Sequence, residues 1–197
     1  MKNSAEKIFR KHGGLLHMSE AIAQGMTRYK LYSMRDKGLI EQVTRGVYRM
    51  KEMPSISNPD LATIGLRYPN AVICLVSALA FHEITTQIPH EISIAVVRES
   101  RMPSLDFPPV RAHRFSETAF RAGVEKHKID GVSVRIYNPE KTIADCFKFR
   151  NKIGMDVVLE ALKLYKSQKK FNLEKMLRYA KICRVEKIIT PYIEATL

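Results

Sequence analysis

Residues 13–48, GGLLHMSEAIAQGMTRYKLYSMRDKGLIEQVTRGVY, decide how the fold is read, because they pack two short helical patterns and a tight basic hairpin into one stretch. Met18 to Gln24 reads as a first helix that stops at Gly25, a residue able to take the left-handed conformation that ends a helix. Thr27 follows two residues later and can cap a second helix, Thr27 to Lys37, by accepting a hydrogen bond from a free amide. Within it Leu31 and Met34 stand three apart and Leu39 follows beyond Gly38, so one face can pack inward. Leu39 to Thr44 and Val47 to Arg49 are β-rich runs joined through Arg45 and Gly46, and glycine readily supplies a positive φ at such a turn. The pattern predicts a winged helix-turn-helix over residues 1–53.

The outward positions of the second helix are Arg28, Tyr29, Lys30, Tyr32, Ser33 and Arg35. In the usual docking, the first residues of a recognition helix meet base edges. Arginine there bonds guanine bidentately, and serine or tyrosine can reach bases or phosphate. Arg28, Tyr29 and Ser33 are the leading candidates for base contacts. Thr44 and Arg45 lie at the expected hairpin tip, where so short a wing suits a grip on phosphate or an adjacent minor groove. The same succession of elements can also serve as an interaction module without a DNA role.

Working outward, the chain of 197 residues is 45% hydrophobic, enough to bury a core in one domain or two modest ones. Its formal charge of +13 favours a polyanionic partner. Residues 1–53 carry 11 Lys or Arg against 5 Asp or Glu, and the other 144 carry 22 against 15, so positive charge is concentrated at the front. The sequence has no apolar run of the roughly 18 to 20 residues a membrane helix needs, and MKNSAEKIFRKHGG lacks a signal-peptide core. A cytoplasmic protein without a membrane partner is expected. Cys74, Cys146 and Cys183 are odd in number and widely spaced, which points to buried reduced thiols.

Residues 54–59 read as a linker, since MPSISNP from Met53 to Pro59 breaks periodicity with two prolines and small polar residues. A second domain, 60–197, is expected behind it. Asp60 to Arg67 looks helical, and Ala71 to Phe81 is apolar nearly all round, which suits a buried helix or a strand. Ile92 to Val97, Val110 to Phe115, Val124 to Ile129 and Val132 to Tyr137 are β-rich, the last two split by Asp130 and Gly131. Helices follow Asn138 and Pro139, over Thr142 to Arg150, Met155 to Lys166, Leu173 to Ile182 and Val185 to Ala195. The fold class is therefore α+β: a winged helix-turn-helix, then a domain with a small, mainly antiparallel sheet and C-terminal helices. Lys163, Lys166, Lys169, Lys170, Arg178 and Lys181 make the last helices basic and form a possible second nucleic-acid surface.

No GxGxxG or Walker-type glycine loop, no HExxH and no paired CxxC is present, so no cofactor, metal site or catalytic residue is expected. His82 and His113 have no matched nucleophile and read as structural histidines. Asp130, Glu140 and Lys141 bear a partial likeness to a metal-dependent nuclease site, without its Glu-x-Lys pair.

Taken together, these stretches resemble the AbiEi-type antitoxins, the transcriptional regulators of bacterial AbiE abortive-infection toxin–antitoxin systems. The resemblance rests on Gly13 and Gly14, the helix ending at Gly25, KGLIEQVTRGVY (37–48), RYPNAVICLVSALAFHEIT (67–85) and DGVSVRIYNPEKTIADCFKFRNKIGMDVVLEALKLY (130–165). It implies a phage-defence protein that binds double-stranded DNA at promoter inverted repeats and represses its own operon. It also implies that the C-terminal domain counteracts a nucleotidyltransferase-like toxin without forming a stable complex. By matching position, Arg28, Tyr29, Lys30, Ser33, Arg35, Thr44 and Arg45 would contact DNA, and no catalytic residue is carried over. A basic module for RNA or an acidic protein is the alternative.

Overall fold

The computed structural model describes residues 4–52, 58–100, 105, 107–129, 131–169 and 171–196. The chain divides into two compact units, one of Met1–Asn70, Ser104–Pro108 and Lys126–Val134, the other of Ala71–Pro103, Pro109–Glu125 and Arg135–Leu197. Most of the expected linker, residues 53–57, lies outside the described residues.

The first unit runs α1 (Ser4–Lys11), β1 (Leu15–His17), α2 (Met18–Ala23), α3 (Arg28–Asp36), β2 (Ile40–Thr44), β3 (Val47–Met50) and α4 (Pro59–Arg67). Helix α2 ends in a double turn: the Gly25 amide donates to Ile22 and the Met26 amide to Ala21, with Gly25 at φ +87°. Thr27 then caps α3, its Oγ1 accepting from the Lys30 amide at 3.2 Å. Helix α3 closes the same way at Gly38, through Gly38 to Arg35 and Leu39 to Met34. These caps set the corner and deliver the chain into the hairpin.

Strands β1, β3 and β2 form an antiparallel sheet in that order, with Leu16 opposite Tyr48 and Gln42 opposite Tyr48 on its other side. A register shift between Gln42 and Thr44 pairs Thr44 with Val47 and leaves Arg45 and Gly46 as the tip. Gly46 turns at φ +80°, and a Cβ there would lie 3.1 Å from His17 Nε2, so both conformation and space favour glycine. Ala5 and Phe9, four apart on α1, pack with Leu16, Leu31, Met34, Ile40, Tyr48 and Met50. Each large side chain so buried contributes about 1.5–3 kcal/mol by removal from water.

The second unit contains β4 (Val72–Ile73), α5 (Leu75–Phe81), β5 (Ile92–Val97), β6 (Val110–Phe115), α6 (Glu117–Arg121), β7 (Val124–Ile129), β8 (Val132–Tyr137), α7 (Pro139–Lys148), α8 (Arg150–Ile153), α9 (Met155–Ser167), α10 (Leu173–Cys183) and α11 (Glu186–Thr196), with Lys126–Val134 of the β7–β8 pair grouping with the first unit. The apolar run from Ala71 is thus both strand and helix, divided at Cys74, with Leu75 entering α5 at φ +48°. The sheet order is β6-β5-β4-β8-β7.

This sheet corrects the expectation of a mainly antiparallel one. β4 and β5 are antiparallel, but β5 with β6 and β4 with β8 are parallel. Parallel neighbours need long connections, and residues 98–109 between β5 and β6 supply the required length. Among the described residues no helix is long and apolar enough to cross a membrane.

Helix α7 is the axis of the second core, with every residue from Glu140 to Phe147 buried. Asn138 caps it by accepting from the Lys141 amide at 2.9 Å and donates through Nδ2 to the Tyr179 hydroxyl. Fully buried Lys141 Nζ donates to fully buried Asp145 Oδ2 and lies 4.1 Å from the centre of the Tyr137 ring and 5.0 Å from that of Phe115. The other Asp145 oxygen accepts from Cys183 Sγ at 3.2 Å. Burial and Asp145 push the Cys183 thiol up to about 12, and Cys74 and Cys146 are likewise buried, free and raised by desolvation.

Candidate nucleic-acid interface

Within the first unit, the corner and the hairpin enclose a cleft of about 540 Å³. Arg28, Tyr32 and Arg35 reach it from α3, Gln42, Arg45, Gly46 and Tyr48 from the hairpin, His17, Met18 and Ser19 from the β1–α2 junction, and Arg67 from the end of α4. The cleft gathers four guanidinium groups, and its lining includes no carboxylate. Arg28, Arg45 and Arg67 enter no ion pair among the described residues. The Nε of Arg67 is buried and has no hydrogen-bond partner among the described residues. Such a surface is chemically suited to phosphate.

Arg35 is held more tightly. Its Nη2 is 2.9 Å from Asp36 Oδ1 and its guanidinium stacks 5.1 Å from the Tyr32 ring centre. The bond to Asp36 raises its pKa, which orients the group without adding charge.

The expected contacts are distributed unevenly. Arg28, Arg35 and Arg45 line the cleft, whereas Tyr29, Lys30 and Ser33 belong to other parts of the α3 surface. Tyr29 is 83% exposed, an unusual setting for so large a ring and one that leaves its face available for stacking. Thr44 is only 7% exposed, because the register shift turns it into the sheet opposite Val47, so it presents no side chain to a ligand. His17 and Arg67 were not anticipated. His17 precedes α2 as its cap, accepting from the Ser19 amide through Nδ1 at 3.2 Å, and Arg67 comes from a helix beyond residues 53–57. Neither position carries a local sequence signal.

His17 also sets a pH dependence. Burial first, then the positive charge of Arg67, lowers its pKa, with Glu20 acting the other way. A histidine with a depressed folded pKa contributes stability that is complete above its unfolded value of about 6.5 and is lost as pH falls through the folded value. His113 has the same sign, lowered by burial and then by Arg111 and Lys152. Denaturation midpoints measured from about pH 7.5 to 5 should fall on acidification, and His17→Gln combined with His113→Gln should flatten that dependence.

The lysines and arginines of the last helices are less concentrated than their sequence spacing suggests. Lys163 and Lys166 lie on α9, Lys169 follows it, Lys170 lies outside the described residues, and Arg178 and Lys181 lie on α10. Arg178 packs 5.1 Å over Tyr179, and Lys181 pairs with Glu186 at 3.4 Å. Of the acids of the partial nuclease likeness, Glu140 is buried and accepts from the Tyr165 hydroxyl at 2.8 Å, and Asp130 lies outside the described residues. His82 bonds the Tyr137 carbonyl through Nε2 at 2.7 Å, as a structural histidine would.

Among solved structures, the crystal structure of the RV2827C protein from Mycobacterium tuberculosis is similar in fold, with a TM-score of 0.62 at 14% identity over 90% of this chain and 69% of that one. No curated protein matches the chain. Residues 3–51, the segment that carries the corner, the hairpin and most of the cleft, match the family model described as "Transcriptional regulator, AbiEi antitoxin", a match that supports a DNA-binding antitoxin role.

Proposed function

We propose that the chain is a DNA-binding antitoxin that represses its own toxin–antitoxin operon, reading promoter inverted repeats with a winged helix-turn-helix built from α2, α3 and the β2–β3 hairpin. The observation that carries this reading is the cleft of Arg28, Arg35, Arg45 and Arg67 between helix and hairpin, whose lining includes no carboxylate and of which all but Arg67 fall inside the segment that matches the regulator family. Phosphate contacts there hold α3 against the groove, and Arg28 at its N-terminus reads a base edge. The second unit counteracts a nucleotidyltransferase-like toxin encoded alongside, without a stable complex between the two proteins. Such a protein acts in the cytoplasm as part of a phage-defence system.

The test is binding to the DNA upstream of its own gene against random DNA of equal length, at two salt concentrations. Tight, selective and salt-sensitive binding is expected. Arg28→Ala should cost about 1–3 kcal/mol on the operator and little on random DNA, whereas Arg45→Ala should weaken both and flatten the salt slope. Equal losses for Arg28→Ala on the two DNAs would remove it as a base reader. For the second arm, co-expression with the neighbouring gene should restore growth while the two proteins fail to co-purify.

A further inference from the structure

A second basic cleft, of about 710 Å³, lies wholly within the second unit and has no part in the reading above. Five cations line it, Arg98, Arg114, Lys148, Arg150 and Arg184, and no carboxylate does. Arg98 stands just beyond β5 and Arg114 on β6, where these parallel strands end with Val97 opposite Phe115. Lys148 and Arg150 come from the α7–α8 junction, and Arg184 from the turn between α10 and α11. None of the five enters an ion pair among the described residues, and the neighbouring Glu117 is already taken by Arg121 at 2.6 Å.

Two of these guanidinium groups are held in place by backbone. Arg114 donates to the Arg98 carbonyl, and Arg150 donates to the Phe147 carbonyl at 3.0 Å. Holding like charges together in this way is unfavourable without a counter-anion. Arg184 adds a second observation. It closes α10 through the same pair of bonds as Gly25 and Gly38, Arg184 to Lys181 and Val185 to Ala180, at φ 60° and ψ 40°. A β-carbon disfavours that conformation, so stability alone would place glycine there.

The cleft is not uniformly polar. Ser116 and Thr118 offer hydroxyls, while Ile182, Val185 and Ile188 add apolar lining. Its volume falls in the range of about 300–1,000 Å³ typical of small-molecule sites. A ligand suited to this lining carries several adjacent negative charges together with a flat or apolar body. We propose that this cleft binds a nucleoside triphosphate, with the phosphates among Arg98, Arg114, Lys148, Arg150 and Arg184 and the base against Ile182, Val185 and Ile188.

Calorimetric titration of the full chain with ATP, GTP and inorganic triphosphate tests this directly. Saturable one-to-one binding is expected, with at least one nucleotide tighter than triphosphate. Arg184→Gly is the decisive variant, because glycine suits the backbone while removing the charge: affinity should fall about tenfold or more, the loss of one charge-assisted contact, with the melting temperature unchanged or higher. Arg28→Ala should leave nucleotide binding intact. Absence of saturable binding, an equal loss in Lys163→Ala, or triphosphate matching both nucleotides would overturn the proposal. So would displacement of the nucleotide by single-stranded DNA at a lower phosphate concentration, which would mark the cleft as a backbone channel.

Discussion

Asp145→Ala is expected to lower the unfolding free energy by about 3–5 kcal/mol, since it leaves the buried Lys141 ammonium without its counter-charge. The two Tyr137 and Phe115 ring faces offer some attraction to the cation but cannot replace a carboxylate bond. Cys183 would lose its acceptor as well. Against a total stability of about 5–15 kcal/mol for an ordinary domain, such a loss approaches unfolding. Desolvation raises the pKa of Asp145 and Lys141 opposes that rise, so the ion pair is a compromise that burial itself disfavours. Lys141→Met combined with Asp145→Leu should therefore recover most of the loss. Urea denaturation of the two variants measures this, and a double variant no more stable than Asp145→Ala would show that the pair is not the source.

Gly123→Ala should be the second most damaging of these changes, at about 2–4 kcal/mol from overpacking together with a left-handed backbone. Gly123 sits at φ +72°, and an added Cβ would lie 2.5 Å from Lys141 Cβ and 3.2 Å from Asn138 Oδ1. Neither neighbour can move cheaply: the Gly123 carbonyl accepts from the Asn138 amide at 2.8 Å, and Asn138 caps α7. The strain would enter the helix that organises the second core. Thermal melts of Gly123→Ala beside Gly38→Ala separate the two causes, because Gly38 has a similar φ of +70° and nothing within 4 Å of its added Cβ. The difference between the variants is the packing cost alone.

Much of the fold was legible because glycines, caps and alternation all act locally. Gly25, Thr27 and Gly46 located the corner and the wing, and four strands of the second unit begin and end where their apolar runs do. Helix α1 escaped notice because it carries only Ala5, Ile8 and Phe9 on a polar background, and β1 because three residues hold no periodicity. The parallel pairings were hidden for a different reason: strand direction depends on which strands become neighbours, and β4 is too short to announce itself. The same holds at the candidate interface. Arg28, Arg35 and Arg45 were visible from helix and turn geometry, but Thr44 is withdrawn by a register shift and Arg67 is brought in from a separate helix.

The make-up of the first unit bears on how the chain comes off the ribosome. Its residues include Lys126–Val134, far from the N-terminus, and the approach is close: a Cβ on Gly131 would lie 3.1 Å from Gly13 Cα, and one on Gly65 would lie 2.9 Å from Val134 Cγ2. The N-terminal elements of the first unit are synthesised early but cannot finish packing until residue 134 has emerged, by which time the early strands of the second unit are already out. The two units thus mature together during translation, and a nascent chain stalled before that point would carry α3 without its full support.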